Sequence, residues 1–287
     1  MTYDLLSLRI PLLLAPGQDL NNRPIPKWWG EAAHQLAIKV IASQDAALAV
    51  ELEDKKNKKM KPFTVSNLRG RFLHGGLNPE SIYQLRFTAL NGRIAEIFKM
   101  SQKTGMLSVG SEIELDFIKF RIPELAPEDK LSVEVRETSF ETLKNTLLLS
   151  PQPPRELTLR FTSPTLFKHG PRHNSFPIPE LIFGNLIEHW NDVYPEIPLS
   201  NEAKKYADQN IIVNRCVLES RVAMMYGEPF RGFTGKVTMF ALHYDRYLMG
   251  IISMLAQFAT FSGVGAKTTM GLGQCSLLPE TTIINQN

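Results

Sequence analysis

Cysteine is nearly missing from this chain. Only Cys216 and Cys275 occur among 287 residues, so neither a disulfide framework nor a four-thiolate zinc site can be built. A reducing, cytoplasmic setting is the expectation. Long apolar runs are missing as well: no stretch approaches the ~20 residues needed to span a bilayer, so no membrane partner is expected. The apolar segment from Leu5 to Leu14 is interrupted by Arg9 and Pro11. It has no basic leader and no small-residue cleavage site, and a signal peptide is not expected. A strong excess of one charge is also missing. The net charge is +3, which by itself announces no polyanionic partner. With 43% hydrophobic and 21% charged residues, the composition is that of an ordinary globular protein. The length suits two domains better than one.

The charge that is present is unevenly placed. Lys55, Lys56, Lys58, Lys59 and Lys61 fall within seven positions, with Arg69 and Arg71 close behind. Such a run is commonly a solvated loop, and it is also what phosphate contacts need.

Periodicity organises the first half. Leu6, Leu8 and Ile10 alternate with Ser7 and Arg9, a half-buried strand. After a loop marked by Pro24 and Pro26, the period changes. Ala33, Leu36, Ala37, Val40 and Ile41 fall on one face of a helix. Asp45 is the expected N-cap of a second helix running to Glu53. An extended segment follows at 63–68, a strand at 82–90 and a helix at 92–101. The alternation of Ile113, Leu115 and Phe117 predicts one more strand. The order β, α, β, β, α, β is the ferredoxin-like arrangement. Prolines and charges at 121–130 place the domain boundary there, with domains over 1–125 and 126–287.

The second half is less regular. Strands are expected at 131–135 and 157–161, and helices at 140–147 and 182–190. A long hairpin is predicted over 211–225 and 230–242, with Gly227 and Pro229 in its turn. Asp245 caps a helix with Leu248, Ile251, Ile252, Leu255 and Ala259 on one face, and a last strand covers 274–278. The chain is therefore an α+β protein.

Between that last helix and strand lies GVGAKTTMGLG, with Gly263, Gly265, Gly271 and Gly273 around Lys267, Thr268 and Thr269. Glycines permit positive φ and a close backbone approach. Such a loop offers N–H groups, a cation and hydroxyls to a phosphate chain. A nucleotide P-loop is excluded, because its G-x-x-x-x-G-K spacing is absent. A loop that merely turns the chain would need one or two glycines rather than four.

This loop resembles the C-terminal glycine-rich loop of the CRISPR repeat-processing endoribonucleases (the "Cas six" family of the RAMP superfamily). FTSPTLFKHG at 161–170, PIPELIFGNLIEHW at 177–190, PFRGFTGKV at 229–237 and KPFTVSNL at 61–68 resemble further segments of that family, in family order. The resemblance implies two tandem ferredoxin-like (RRM-like) domains. It implies metal-independent cleavage of CRISPR repeat RNA, with 5′-hydroxyl and 2′,3′-cyclic phosphate ends and no cofactor. A non-catalytic RNA-binding subunit of a CRISPR effector complex is the alternative within the same superfamily. Subunits of such a complex are further expected partners, and retention of the product would favour assembly with them.

The implied chemistry needs proton transfer at two oxygens and a cation for the phosphorane. Histidine suits the first and lysine the second. Of six histidines, His34 sits at the edge of the first helix's apolar stripe, and the family often places its catalytic histidine on this helix. Some members instead carry it in a Leu-His-acid motif at the end of the next helix, where this chain reads Leu52-Glu53-Asp54. Lys61 matches a position where such members hold an active-site lysine, with Lys59 as a substitute and Ser66 as a neighbour. Lys59, Lys267, Thr268 and the four glycines are the expected RNA contacts. His169 and His173 flank Arg172 in a loop that could meet RNA, and no metal site is assigned to them. His74, His189 and His243 are expected to be structural. Phe63, Phe72 and Tyr83 are expected to pack in the core rather than to stack on bases.

Overall fold

The structure, a computed structural model, describes residues 4–279 apart from 19, 21–24, 55, 57–58, 74–75, 127–128, 130, 149 and 171. Pro24, Lys55, Lys58 and His74 lie outside the described residues. The chain divides into two compact units. The first comprises Met1–Phe140 with Ala223–Phe230 and Lys267–Leu272; the second comprises Glu141–Val222, Arg231–Ala266 and Gly273–Asn287.

In chain order the first unit contains β1 (Leu5–Leu14), α1 (Gly30–Ala42), α2 (Ala46–Glu53) and β2 (Phe63–Val65). A small hairpin follows, β3 (Phe72–Leu73) and β4 (Gly76–Leu77), then β5 (Tyr83–Ala89) and α3 (Gly92–Thr104). β6 (Glu112–Leu115), β7 (Ile118–Arg121) and β8 (Glu134–Thr138) complete it. The sheet runs β2-β5-β1-β7-β6, and β8 also pairs with β1. The second, third, first and fourth strands of the ferredoxin-like order thus stand side by side as β2, β5, β1 and β7.

Local chemistry explains these elements. On β1, Leu6, Leu8, Ile10 and Leu12 are buried in the core, while Arg9 reaches Glu134 of β8 at 2.6 Å. The α1 stripe Ala33, Leu36, Ala37, Val40 and Ile41 is buried against the same core. Asp45 accepts the Leu48 N–H at 3.0 Å and caps α2; Asn91 accepts that of Ile94 at 2.9 Å and caps α3.

Two features of this unit differ from the sequence expectation. The residues 113–117 do not form one strand. Leu115 pairs with Ile118, so Asp116 and Phe117 make a two-residue turn with φ of 48° and 65°, the geometry that joins tightly twisted strands. Phe117 therefore points outward, 75% exposed. The strand near 131–135 lies at 134–138 and pairs with β1 from Leu5↔Thr138 to Arg9↔Glu134. These ladder bonds carry residues beyond 125 into the first unit.

The second unit contains α4 (Phe140–Leu148), β9 (Glu156–Thr165), β10 (Phe167–His169), β11 (Arg172–Asn174) and α5 (Pro179–Val193). After these come α6 (Glu202–Asn210), β12 (Ile211–Met225), β13 (Glu228–Ala241), α7 (Arg246–Ser262) and β14 (Cys275–Leu277). Phe140 and the tip of the β12–β13 hairpin count with the first unit. The sheet order is β12-β13-β9-β14, again second, third, first, fourth. Pro229 falls within β13, and the hairpin turn is Tyr226–Gly227, with φ of 52° and 76°. α6 is absent from the sequence expectation: it is mostly polar, and only Ala203, Tyr206 and Ala207 are buried on it. Among the described residues, no helix is long and apolar enough to cross a membrane.

Candidate active site

α1 carries His34 into a buried position in the first unit, 2% exposed. Its ring stacks on Phe63 at the start of β2, with centroids 5.5 Å apart and planes 22° from parallel. Nδ1 lies 3.0 Å from the Thr269 carbonyl oxygen, and Nε2 lies 3.1 Å from Glu53 Oε1. A carbonyl oxygen only accepts, so Nδ1 carries the proton and Nε2 keeps its lone pair. Glu53 is the last residue of α2, and the same Oε1 takes the Lys61 ammonium. The helix α1, the end of α2 and the approach to β2 thus bring His34, Glu53 and Lys61 to one point.

The charges compete at that point. Burial first, and then the Lys61 cation, hold the imidazole below its ordinary value of 6.5, against the opposing pull of Glu53 and the Thr269 carbonyl. Burial pushes the Glu53 carboxyl up, but the hydrogen bond from Lys61, joined by one from His34 when that ring is an imidazolium, outweighs it and holds the group low. A neutral His34 has no proton left for Glu53, so the Glu53–Nε2 contact is a full hydrogen bond only in the imidazolium. Residue type alone does not single out Glu53, which stands where the resemblance implies a histidine.

The segment Lys267–Leu272 closes the same site. Trp28 Nε1 donates to the Met270 carbonyl at 2.8 Å, next to the carbonyl that His34 holds. A Cβ on Gly30 would stand 1.8 Å from that Met270 oxygen, so the start of α1 can approach only as glycine. The Tyr226 N–H donates to Glu31 Oε1 at 2.7 Å, and its hydroxyl lies 3.5 Å from Met270 Sδ. Burial, then the Glu31 and Glu53 charges, push the Tyr226 phenol up and keep it protonated. Lys267 is exposed in left-handed backbone, its Nζ 6.0 Å from the ring centres of Tyr226 and Phe230.

The glycines serve a different purpose from the one expected. Gly263, Gly265, Gly271 and Gly273 are buried, each with positive φ. Their N–H groups donate to Ala259 O, Asn185 Oδ1, Thr268 O and Pro164 O. The four glycine amides are therefore engaged inside the fold, because buried donors must be satisfied there. Gly265 lies where a Cβ would meet Leu166 O at 2.4 Å. Thr268 is likewise buried, 5% exposed.

Other candidates separate from the cluster. Lys59 is exposed. Ser66 is fully buried, and its Oγ accepts the Arg86 N–H at 2.9 Å. His173 and Arg172 lie exposed on β11, in a small hairpin rather than an open loop. His189 is buried on α5; its Nε2 accepts from the Asn185 amide at 3.1 Å, and burial pushes its pKa down to about 4. His243 is exposed. Phe63 and Tyr83 are core residues at 0% exposure, whereas Phe72 is 38% exposed. Among the described residues, no group of three or more His, Cys, Asp or Glu side chains is placed to hold a metal ion.

Comparison with known proteins meets this geometry from outside. Residues 159–275 match the family model of the CRISPR-associated endoribonuclease Cas6. A Cas6 endoribonuclease of Streptococcus thermophilus is 26% identical over 157 residues, covering 54% of this chain and 63% of that protein. One of Mycobacterium tuberculosis is 26% identical over 126 residues, covering 44% of this chain and 40% of that protein. The matched stretches thus span less than two thirds of either relative. Among solved structures, a Cas6 product complex superposes with a TM-score of 0.74 at 23% identity, covering 96% of this chain and 100% of the other. Thermus thermophilus Cas6 gives 0.66 at 22%, covering 97% and 100%. Residues 159–275 thus match the Cas6 family model, and the chain shares the α+β fold of Cas6 structures along nearly its whole length.

Proposed function

We propose that the protein cuts CRISPR repeat RNA into guide RNAs by metal-independent transesterification. The observation that carries this reading is the buried His34 with Nε2 facing a carboxylate oxygen that also binds the Lys61 ammonium. In the reaction, the ribose 2′-oxygen attacks the adjacent phosphorus and the bond to the 5′-oxygen breaks. The 2′-hydroxyl gives up a proton, the 5′-oxygen gains one, and the ends are a 2′,3′-cyclic phosphate and a 5′-hydroxyl. His34 moves the proton at Nε2, and its depressed pKa keeps it neutral and basic near pH 7. Lys61 stabilises the charge that grows on the phosphorane.

Glu53 stands in for the substrate. Its oxygen lies at hydrogen-bonding distance from Nε2 and on Lys61, where an oxygen of the scissile phosphodiester would lie. An arriving phosphate replaces the carboxylate, whose side chain is 41% exposed and has solvent to swing into. Lys267 and Lys59 contact phosphates, and Thr268 with the four glycines shapes the turn that presents Lys267. Retention of the product would pass the guide RNA to subunits of an effector complex.

The test is cleavage of repeat RNA in EDTA by wild type and His34→Ala. Loss of cleavage with RNA binding retained supports the assignment. Cleavage that survives the substitution removes His34 from the mechanism. Binding without cleavage by the wild type, on several repeats, moves the reading to a non-catalytic RNA-binding subunit.

A further inference from the structure

The sheet of the second unit buries one face and leaves the other open. On β9 and β13, Leu157, Leu159, Phe161, Val237 and Met239 are buried on the inner side, where α7 packs against β9 and β14. The strand period turns Thr158, Arg160, Lys236 and Thr238 to the outer side, and Arg160 and Lys236 are exposed. Register sets these residues in rows across the sheet. Lys236 of β13 stands directly opposite Arg160 of β9, and Ser276 of β14 stands on the far side of Arg160. The adjacent row pairs Thr238 with Thr158, hydroxyl to hydroxyl at 3.0 Å.

Two like charges directly opposite each other weaken a strand pair, and an anion bound between them removes that cost. Among the described residues, no carboxylate pairs with Arg160 or Lys236. Glu156 of β9 accepts from the Asn214 amide at 3.1 Å and lies four residues from Arg160, roughly 13 Å at the strand rise. Glu219 of β12 pairs with Arg221 at 2.5 Å. A basic row beside hydroxyls is the donor set that contacts nucleic-acid phosphates. It is not a stacking face. Sheets that stack RNA bases do so on aromatic side chains, whereas these rows carry Arg, Lys, Thr and Ser. Phe240, four residues beyond Lys236, already lies under the Arg155 guanidinium, 4.8 Å from its ring centre. Nor is it the centre of a protein interface, where aromatic and apolar anchors dominate; the two rows hold none.

We propose that this outer row is a further RNA contact, which holds a single-stranded stretch by its phosphates without reading its sequence. The Arg160 fork takes two oxygens of one phosphate, and the Lys236 ammonium adds a point charge beside it. One hydroxyl of the threonine pair donates to the other, so the second keeps its hydrogen for an RNA oxygen. The contact rests on the RNA reading for its ligand and not on the cleavage chemistry at His34.

The experiment measures binding of fluorescein-labelled oligouridylate and of a CA-repeat RNA to the full chain by anisotropy, across a series of salt concentrations. Arg160→Gln and Lys236→Gln are each expected to weaken both RNAs alike, by about three- to ten-fold. Each should also flatten the slope of log affinity against log salt by about 0.7. Lys205→Gln removes the same charge from an exposed position on α6 of the same unit and should leave binding unchanged. The melting temperature separates contact from fold, because removing one of two opposed like charges should hold it or raise it. Lys236→Glu is the sharper case, since it sets an opposite charge against Arg160. Its melting temperature should rise while RNA binding falls by about ten-fold or more. Binding and salt slope unchanged in Arg160→Gln and Lys236→Gln overturn the proposal and leave the RNA reading standing. An equal loss in Lys205→Gln also overturns it, since net charge alone then sets the affinity. No binding of either RNA by the wild type overturns both readings. Labelled oligoglutamate of equal charge that binds as tightly as oligouridylate, through Arg160, overturns the assignment to RNA and makes the row a dock for an acidic protein segment.

Discussion

Replacing Glu53 by Gln tests the proposed active site at its most informative atom. The substitution keeps the side chain's shape and removes its charge. In the RNA-free protein that charge is shared by Lys61 and His34. Lys61 and Glu53 are 30% and 41% exposed, so their pair is a partly solvated one, worth about 0.2–1 kcal/mol. An arriving phosphate must break it, and must also meet the carboxylate's negative charge. Releasing both effects should tighten binding of repeat RNA by about three- to ten-fold, since 1.4 kcal/mol is ten-fold. The pH profile gives an independent reading. Glu53 opposes the burial and the Lys61 charge that depress His34; with Gln in its place the depression deepens. Cleavage that requires neutral His34 rises with pH through that pKa, so the acidic limb should move to lower pH. The assays are filter binding with catalytically silent, 2′-deoxy-substituted RNA, and single-turnover cleavage from pH 4 to 8. Weaker binding together with an unmoved limb would refute the reasoning and make Glu53 an orienting partner of His34 rather than an occupant of the phosphate site.

The other expectations follow from the same contacts. Lys61→Met should slow single-turnover cleavage by about 10²-fold and move the acidic limb to higher pH, because the Lys61 charge depresses His34; an unchanged rate would remove it from the mechanism. His189 predicts acid sensitivity of the fold. Its pKa is 6.5 when free and about 4 when folded, so the unfolded chain binds more protons between those values. Stability should be full above 6.5 and fall by about 3 kcal/mol as the pH drops through 4, read as urea midpoints. Gly265→Ala should destabilise the protein by about 2–4 kcal/mol, since φ is +85° and a Cβ would lie 2.4 Å from Leu166 O. An unchanged melting temperature would show that the loop relaxes. Asp45→Ala should cost about 1 kcal/mol, because it uncaps α2 at Leu48; hydrogen exchange confined to α2 reports it.

Most of the regular structure was legible because it is short-range. The apolar spacing of α1, the Asp45 cap, the alternation on β1 and β9 and the cap at Asp245 each lie within a few positions, and periodicity reports such patterns directly. Phe117 shows where that logic fails. It continues the alternation of Ile113 and Leu115, and nothing nearby reveals that Leu115 pairs with Ile118 to make a turn. α6 escaped for the opposite reason: it is mostly polar, and the tertiary packing of Ala203, Tyr206 and Ala207 holds it.

By itself the sequence determined the α+β order of elements, the glycine loop with its lysine, and the family resemblance that singled out His34 and Lys61. All of these reside in residue type and local spacing. The tertiary structure decided how they are used. It set Glu53 of α2 against His34 nineteen positions earlier, and Tyr226 against Glu31 from 195 positions away. It also showed that the loop's four glycine amides are satisfied by the fold itself, one of them by Asn185 eighty positions away. The physical reason is that hydrogen bonds and charge pairs depend on distance in space, which chain order leaves open until the sheets and helices pack.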